Sequence, residues 1–255
     1  MVRMSDGDQA PPGVGRSPNF STTNWSLVRA AGEGVDDSPT ARLALAELCR
    51  AYWYPIYCYL RRSGHRPPDA QDLTQEFFAR LIHKRQLEGL ESGDRRFRHF
   101  LLRTLKHFVS DERKRAKAQR RGGGELPVSL DDPTAEFRYL KEPSDPADPE
   151  VLYERTWANT LLTKVLGRLR ARYAGNGKAD FYSAMEPLLV GGETEGTLRE
   201  IGAGLGLSEG ATKVAAHRLR REFGRVLRQE IAMTVSEPGE VETELRYFVR
   251  MLAGR

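Results

Sequence analysis

Few folds accommodate the stretch TLREIGAGLGLSEGATKVAAHRLRREF, Thr197 to Phe223. A short apolar segment, Leu198, Ile201 and Leu205, runs into Gly206, and Leu207 plugs the corner that follows. Ser208 stands where a helix N-cap belongs, its hydroxyl placed to accept the orphan N–H groups of the next turn. At about 100° per residue, Ala216, Leu219, Phe223, Val226 and Leu227 fall on one face of the second helix. The opposite face carries Val214, His217, Arg218, Arg221, Arg225 and Arg228. An apolar spine backed by a basic stripe, behind a glycine corner, predicts a helix-turn-helix whose second helix lies in a major groove. Gly202 and Gly204 weigh against the first helix, each costing up to about 1 kcal/mol relative to Ala, so packing must hold it.

The rest of the chain must be compatible with that unit. Its 255 residues suffice for one large domain or two small ones. A net charge of +5 and a pI near 9.3 permit a polyanionic partner. Cys49 and Cys58 are the only cysteines and have no metal-like spacing, so reduced, packed thiols are expected. The opening MVRMSDGDQAPPGVGRSPNF has no apolar core of a signal peptide, and no run approaches the roughly 18 apolar residues of a membrane span. A soluble, cytoplasmic protein is the expectation.

In chain order, residues 1–21 form a polar Gly/Pro tail, expected to be disordered. A short helix is predicted from Thr22, anchored by Trp25 and Leu27. A long one follows from Thr40 to Arg62, with Leu45, Leu48, Cys49, Tyr52, Ile56, Tyr59 and Leu60 on its broad apolar face. Pro55 should kink it or force a local adjustment. After a loop at 63–68, DAQDLTQEFFARLI (Asp69 to Ile82) is capped by Asp69 and buries Leu73, Phe77 and Leu81. Asp69, Asp72 and Glu76, with Gln75 beside them, line an acidic ridge at helical spacing. No metal-binding His or buried partner accompanies these carboxylates, which argues against catalysis. A solvated face is the default reading; a protein-docking face is the sharper alternative, because Phe78 and Ile82 fall outside the buried stripe and are expensive to leave wet.

The loop from Lys84 to Arg96 leads into FRHFLLRTLKHFVSDERKRAKAQRR. Phe97, Leu101, Leu105, Phe108 and Val109 define its core face; His99, Arg103, Lys106, Ser110, Arg113, Lys114 and Lys117 lie on the far side. A basic helix with aromatics in its first turn suits a phosphate backbone and an unstacked base. His107 and Asp111 are spaced to share a metal, but no third ligand stands nearby, so no metal is expected.

Three motifs in this order resemble the extracytoplasmic-function class of bacterial RNA polymerase sigma factors, in the expanded forms of planctomycete-like bacteria. They are Asp69-Ala70-Gln71-Asp72-Leu73-Thr74-Gln75-Glu76, then Phe97-Arg98 through Asp111, then Leu207-Ser208-Glu209-Gly210-Ala211 opening the recognition helix. The resemblance covers about Asn24 to Val235. It implies an all-α chain of two small helical domains: region two at 22–119, and region four, with its helix-turn-helix, at 150–235. Core RNA polymerase would meet Asp69, Asp72, Gln75 and Glu76. The minus-ten element would be opened and read by the helix carrying Arg103, Lys106, His107, Ser110, Arg113, Lys114 and Lys117. The minus thirty-five element would meet Ser208, Lys213, Val214, His217, Arg218 and Arg221. The family usually has Asn where this chain has His107. Promoter DNA and core polymerase are the implied partners of a monomer, with an anti-sigma factor as a further candidate; no cofactor and no catalysis are implied.

Between the domains, residues 120–149 begin with Gly122-Gly123-Gly124 after two arginines and carry prolines at 127, 133, 143, 146 and 149. From Glu125 to Glu150 there are eight acidic residues against Arg138 and Lys141. Such composition predicts a flexible acidic linker that resists packing. The resemblance implies that it threads the polymerase channel taken by nascent RNA. Residues 236–255 read as an added amphipathic helix, with Ser236 as cap and Val241, Leu245, Phe248 and Leu252 on one stripe. Packing on the second domain is the expectation, and a cover over a DNA- or polymerase-binding surface the alternative. The competing function is a stand-alone helix-turn-helix regulator that binds duplex DNA as a dimer on a palindrome.

Overall fold

Helical periodicity is realised throughout. The computed structural model describes residues 39–83, 96–118, 132–142, 148–190 and 195–253, and among these the regular elements are helices. They are α1 (Pro39–Arg62), α2 (Pro67–His83), α3 (Phe97–Ala118), α4 (Ala135–Tyr139), α5 (Pro149–Gly175), α6 (Ala179–Met185), α7 (Pro187–Val190), α8 (Glu195–Gly204), α9 (Glu209–Ala232) and α10 (Val241–Leu252). A 3-10 turn at Pro238–Glu240 precedes α10, and one isolated antiparallel bridge joins Arg96 to Val235. The all-α expectation holds. No helix of the described residues is long and apolar enough to cross a membrane. The tail, the predicted helix around Trp25 and Leu27, and residues 84–95 lie outside the described set.

The first three helices close on aromatic contacts. Tyr52 of α1 meets Phe97 of α3 edge-on at 5.1 Å, and Phe77 of α2 meets Phe108 of α3 at 5.6 Å. Phe78, expected outside the buried stripe, is fully buried against Phe77, with ring centroids 5.3 Å apart. The apolar face of α2 is therefore wider than the i, i+4 stripe, and the docking argument built on Phe78 falls away. Helix α2 also starts earlier than expected. Pro67 and Pro68 occupy its first turn, where no N–H is needed; Asp69 lies inside that turn and pairs with Arg66 at 3.0 Å instead of capping. Helix α1 runs unbroken through the buried Pro55. Burial pushes the thiols of Cys49 and Cys58 up to about 12, which keeps both protonated.

Helix α5 carries this core onward. Asp148 caps it by accepting from the Glu150 N–H at 3.0 Å, and Pro149 fills the first position. Its 27 residues extend about 40 Å. Tyr153, near its start, lies 6.4 Å from Tyr52 of α1. Tyr173, near its end, stacks on Phe181 of α6 at 6.0 Å. Lys164 and Arg168 hold Glu230 of α9, while Arg172 holds Glu222 at 2.7 Å, so α9 runs antiparallel to α5. One apolar cluster thus continues from α1 through α5 into α9 and α10. Within the expected coil, residues 132–142 are folded: α4 lies on α1, and Arg61 grips Glu136 at 2.8 Å. Composition failed there because polar contacts, with little apolar burial, hold the segment.

The last helix closes the body around a buried charge. Ser236 is no cap, for its hydroxyl is buried without a partner; the 3-10 turn intervenes because Pro238 fits a first turn only. Phe248 meets Trp157 of α5 edge-on at 6.2 Å. Glu244, also on α10, is fully buried and accepts from Arg98 Nε at 2.6 Å and Nη2 at 3.2 Å. Arg98 Nη1 donates to Glu154 at 2.5 Å, and the Tyr247 ring covers the guanidinium at 4.0 Å. The N–H of Phe97 donates to the Thr234 carbonyl at 3.1 Å. Burial works against the charge of Arg98, but the carboxylates of Glu244 and Glu154 outweigh it and hold the guanidinium protonated. Burial pushes the Glu154 carboxyl up despite the guanidinium beside it.

Candidate functional site

The corner between α8 and α9 is built from backbone hydrogen bonds. Leu207 N–H donates to the Gly202 carbonyl at 2.8 Å, and Gly206 N–H to the Ala203 carbonyl at 3.2 Å. This Schellman pattern needs a left-handed residue, supplied by Gly206 at φ +66°. The Ser208 hydroxyl then accepts from Ala211 N–H at 3.3 Å and starts α9. Gly202 is required for a different reason: a Cβ there would collide with Oγ1 of the buried Thr212. The packing that α8 needs is this close approach of the two helices.

The expected core face of α9 is the observed one. Ala216, Leu219, Val226 and Leu227 are buried, and Phe223 is half-buried against the same cluster. His217, Arg218 and Arg221 stand in solvent with no hydrogen-bonding or ionic partner among the described residues. Val214 is 50% exposed beside them. Lys213 pairs with Glu209 one turn back at 2.8 Å. Ser208 retains its hydroxyl proton for donation while capping. Further along, Arg225 donates to Gln229 at 3.2 Å and Arg228 to Glu242 of α10 at 2.9 Å, so those two outward cations are engaged within the chain. Tyr173, Lys178 and Phe181 were missed by the sequence reading. With Leu207, Ala211, Val214 and Arg218 they line a cleft of about 590 Å³. The signal was an aromatic pair flanking Gly175-Asn176-Gly177, where Gly177 has φ +68°.

On α3, the side chains of Arg103, Lys106, His107, Ser110, Arg113 and Lys114 are exposed; Lys117 lies in its last turn, with a side chain outside the described set. Lys106, Ser110, Arg113 and Lys114 gather around a pocket of about 270 Å³, which Tyr59 of α1 and Ser63 just beyond its end complete. Tyr59 had been read as core alone; burial raises its phenol, so it stays a neutral hydrogen-bonding group. Lys106 is ion-paired with Glu150 of α5. The first-turn aromatics Phe97 and Phe100 are buried, which removes them as stacking partners for a base. Among the described residues no three His, Cys, Asp or Glu side chains converge as a metal site.

The α2 ridge is partly neutralised. Glu76 pairs with Arg80, which also reaches Glu112 of α3 at 2.7 Å and lies over the Phe108 ring at 4.9 Å. Asp72 is exposed and has no ionic partner among the described residues; Gln75 is half-exposed. Three candidate surfaces therefore exist, on α2, α3 and α9. In comparisons with known proteins, the chain matches no protein-family model, no curated protein and no solved structure.

Proposed function

We propose that the chain is a sigma factor that directs RNA polymerase to specific promoters and opens the DNA there. One observation carries the reading: His217, Arg218 and Arg221 stand together, exposed and unpaired, on the helix that follows a capped glycine corner. Two arginines and an imidazole without intramolecular partners, on the outward face of such a helix, suit phosphates and base edges in a major groove. The α3 pocket adds Lys106, Arg113 and Lys114 beside the hydroxyl residues Tyr59, Ser63 and Ser110, a surface fit for a sugar–phosphate strand. Asp72 and its neighbours on α2 supply an acidic face for a basic element of the polymerase. The polymerase makes the RNA; this chain contributes recognition and strand opening, without catalysis of its own.

Run-off transcription with core polymerase, with and without the chain, tests this directly. Initiation from specific sites should require the chain. Arg218→Ala and Arg221→Ala should each either relax one promoter position by about 1–3 kcal/mol or weaken all sequences together and flatten the salt dependence. Asp72→Ala with Glu76→Ala should abolish binding to core polymerase and leave helical content unchanged. Tight dimeric binding to a palindromic duplex, indifferent to polymerase, would overturn the proposal in favour of a stand-alone regulator.

A further inference from the structure

The segment at 132–142 is held to α1 by a compact set of directional contacts. Asp132 accepts from the N–H and hydroxyl of Thr134, at 3.0 and 2.7 Å, and binds Arg138 at 2.8 Å. Arg61 donates through Nε and Nη2 to both oxygens of Glu136, at 2.9 and 2.8 Å, and Tyr57 adds its hydroxyl at 2.5 Å. Tyr54 donates to Glu142 at 3.0 Å while its ring carries the Arg138 guanidinium at 3.6 Å. Apolar burial is limited: Ala135 is covered and Tyr139 is half-buried edge-on to Tyr57 at 6.4 Å, whereas Phe137 and Leu140 are 64% and 72% exposed. Five helical residues cannot persist alone. The segment's helical form therefore depends on the contacts to α1.

We propose that α4 is a releasable latch, docked through Glu136 on the Tyr54–Tyr57–Arg61 face of α1 and freed as extended chain when that grip is lost. Release converts residues 132–142 from a folded patch into tether, at up to about 3.3 Å of reach per residue. It also uncovers two tyrosines and an arginine on α1. The use of the latch, though not its existence, rests on the polymerase reading: a connector that threads a channel must first leave α1.

Hydrogen exchange by mass spectrometry on the full chain tests the latch. In the wild type, amides of 135–140 should be protected. Glu136→Gln, at a half-exposed position that cannot unfold the core, should speed their exchange at least tenfold, with α5 peptides unchanged. Arg61→Gln should do the same from the other side. Unprotected amides in the wild type, or exchange unaltered in both variants, overturns the latch. Affinity for core polymerase gives its role. Freed variants should bind about tenfold tighter, since a state that is rarely populated weakens apparent affinity in proportion. Faster exchange with equal affinity overturns the latch as a regulator. Absence of polymerase binding by all three chains removes the functional reading, and exchange alone then decides the latch.

Discussion

Gly202 and Gly204 lie two residues apart in α8 and face different surroundings. A Cβ at 202 meets Thr212, with the Leu207 carbonyl at 3.1 Å, whereas one at 204 meets open space. Gly202→Ala should lower stability by about 1–3 kcal/mol through overpacking; Gly204→Ala should raise it by up to about 1 kcal/mol. Paired thermal melts check the opposite signs. Sequence alone assigned both glycines the same cost, because the close approach arises only when α9 docks. Arg98 was legible still less. It reads as one more cation in a basic helix, and Glu244 as one of four acids near a helix start. Their burial depends on a partner 146 residues away. Arg98→Met should cost about 3–5 kcal/mol, because it strands the Glu154 carboxylate and leaves buried Glu244 with only Arg96, at 3.1 Å, and Arg98→Lys should not restore the loss, since a lysine lacks the fork that holds Glu244. Urea titration of the three chains measures this. Cys49 and Cys58, buried with raised pKa values, should resist iodoacetamide in the native protein and react only after denaturation.

At the level of elements, periodicity was sufficient wherever a helix buries a continuous face. The observed α1, α3 and α9 follow their apolar spacing, and Ser208 caps where its position predicts. Termini were harder to read. Asp69 and Ser236 both have cap chemistry, yet neighbouring prolines shift each start. Helix α4 gave no signal at all, since its stability lies in partners on α1. Those partners make its docking pH-dependent. Hydrogen bonds from Arg61, then Tyr57, hold the Glu136 carboxyl below its ordinary value against a burial effect that would raise it. The docked state thus binds fewer protons than the free one. Docking is complete above the ordinary carboxylate range and is lost as pH falls through the lowered value. Amide protection at Tyr139, followed against pH with α5 amides as reference, should show that loss on the acid side.

Across the whole molecule, the candidate surfaces on α2, α3 and α9 lie on one continuous apolar body. The sequence showed which faces are apolar but not which faces meet, so α5 gave no hint that it serves α1 at one end and α9 at the other. The ion cluster at Arg98 then has a consequence for synthesis on the ribosome. At about 5–20 residues per second, Arg98 emerges roughly 7–30 s before Glu244, 146 positions later, can reach it. Until then Arg98 lacks its Glu244 partner, although Phe97 already has Tyr52 of α1 to pack against. A codon change that slows translation of α10 should therefore lengthen the interval in which Arg98 is unpaired with Glu244. A helix made long after α3 is thus the one that completes the charge cluster within it.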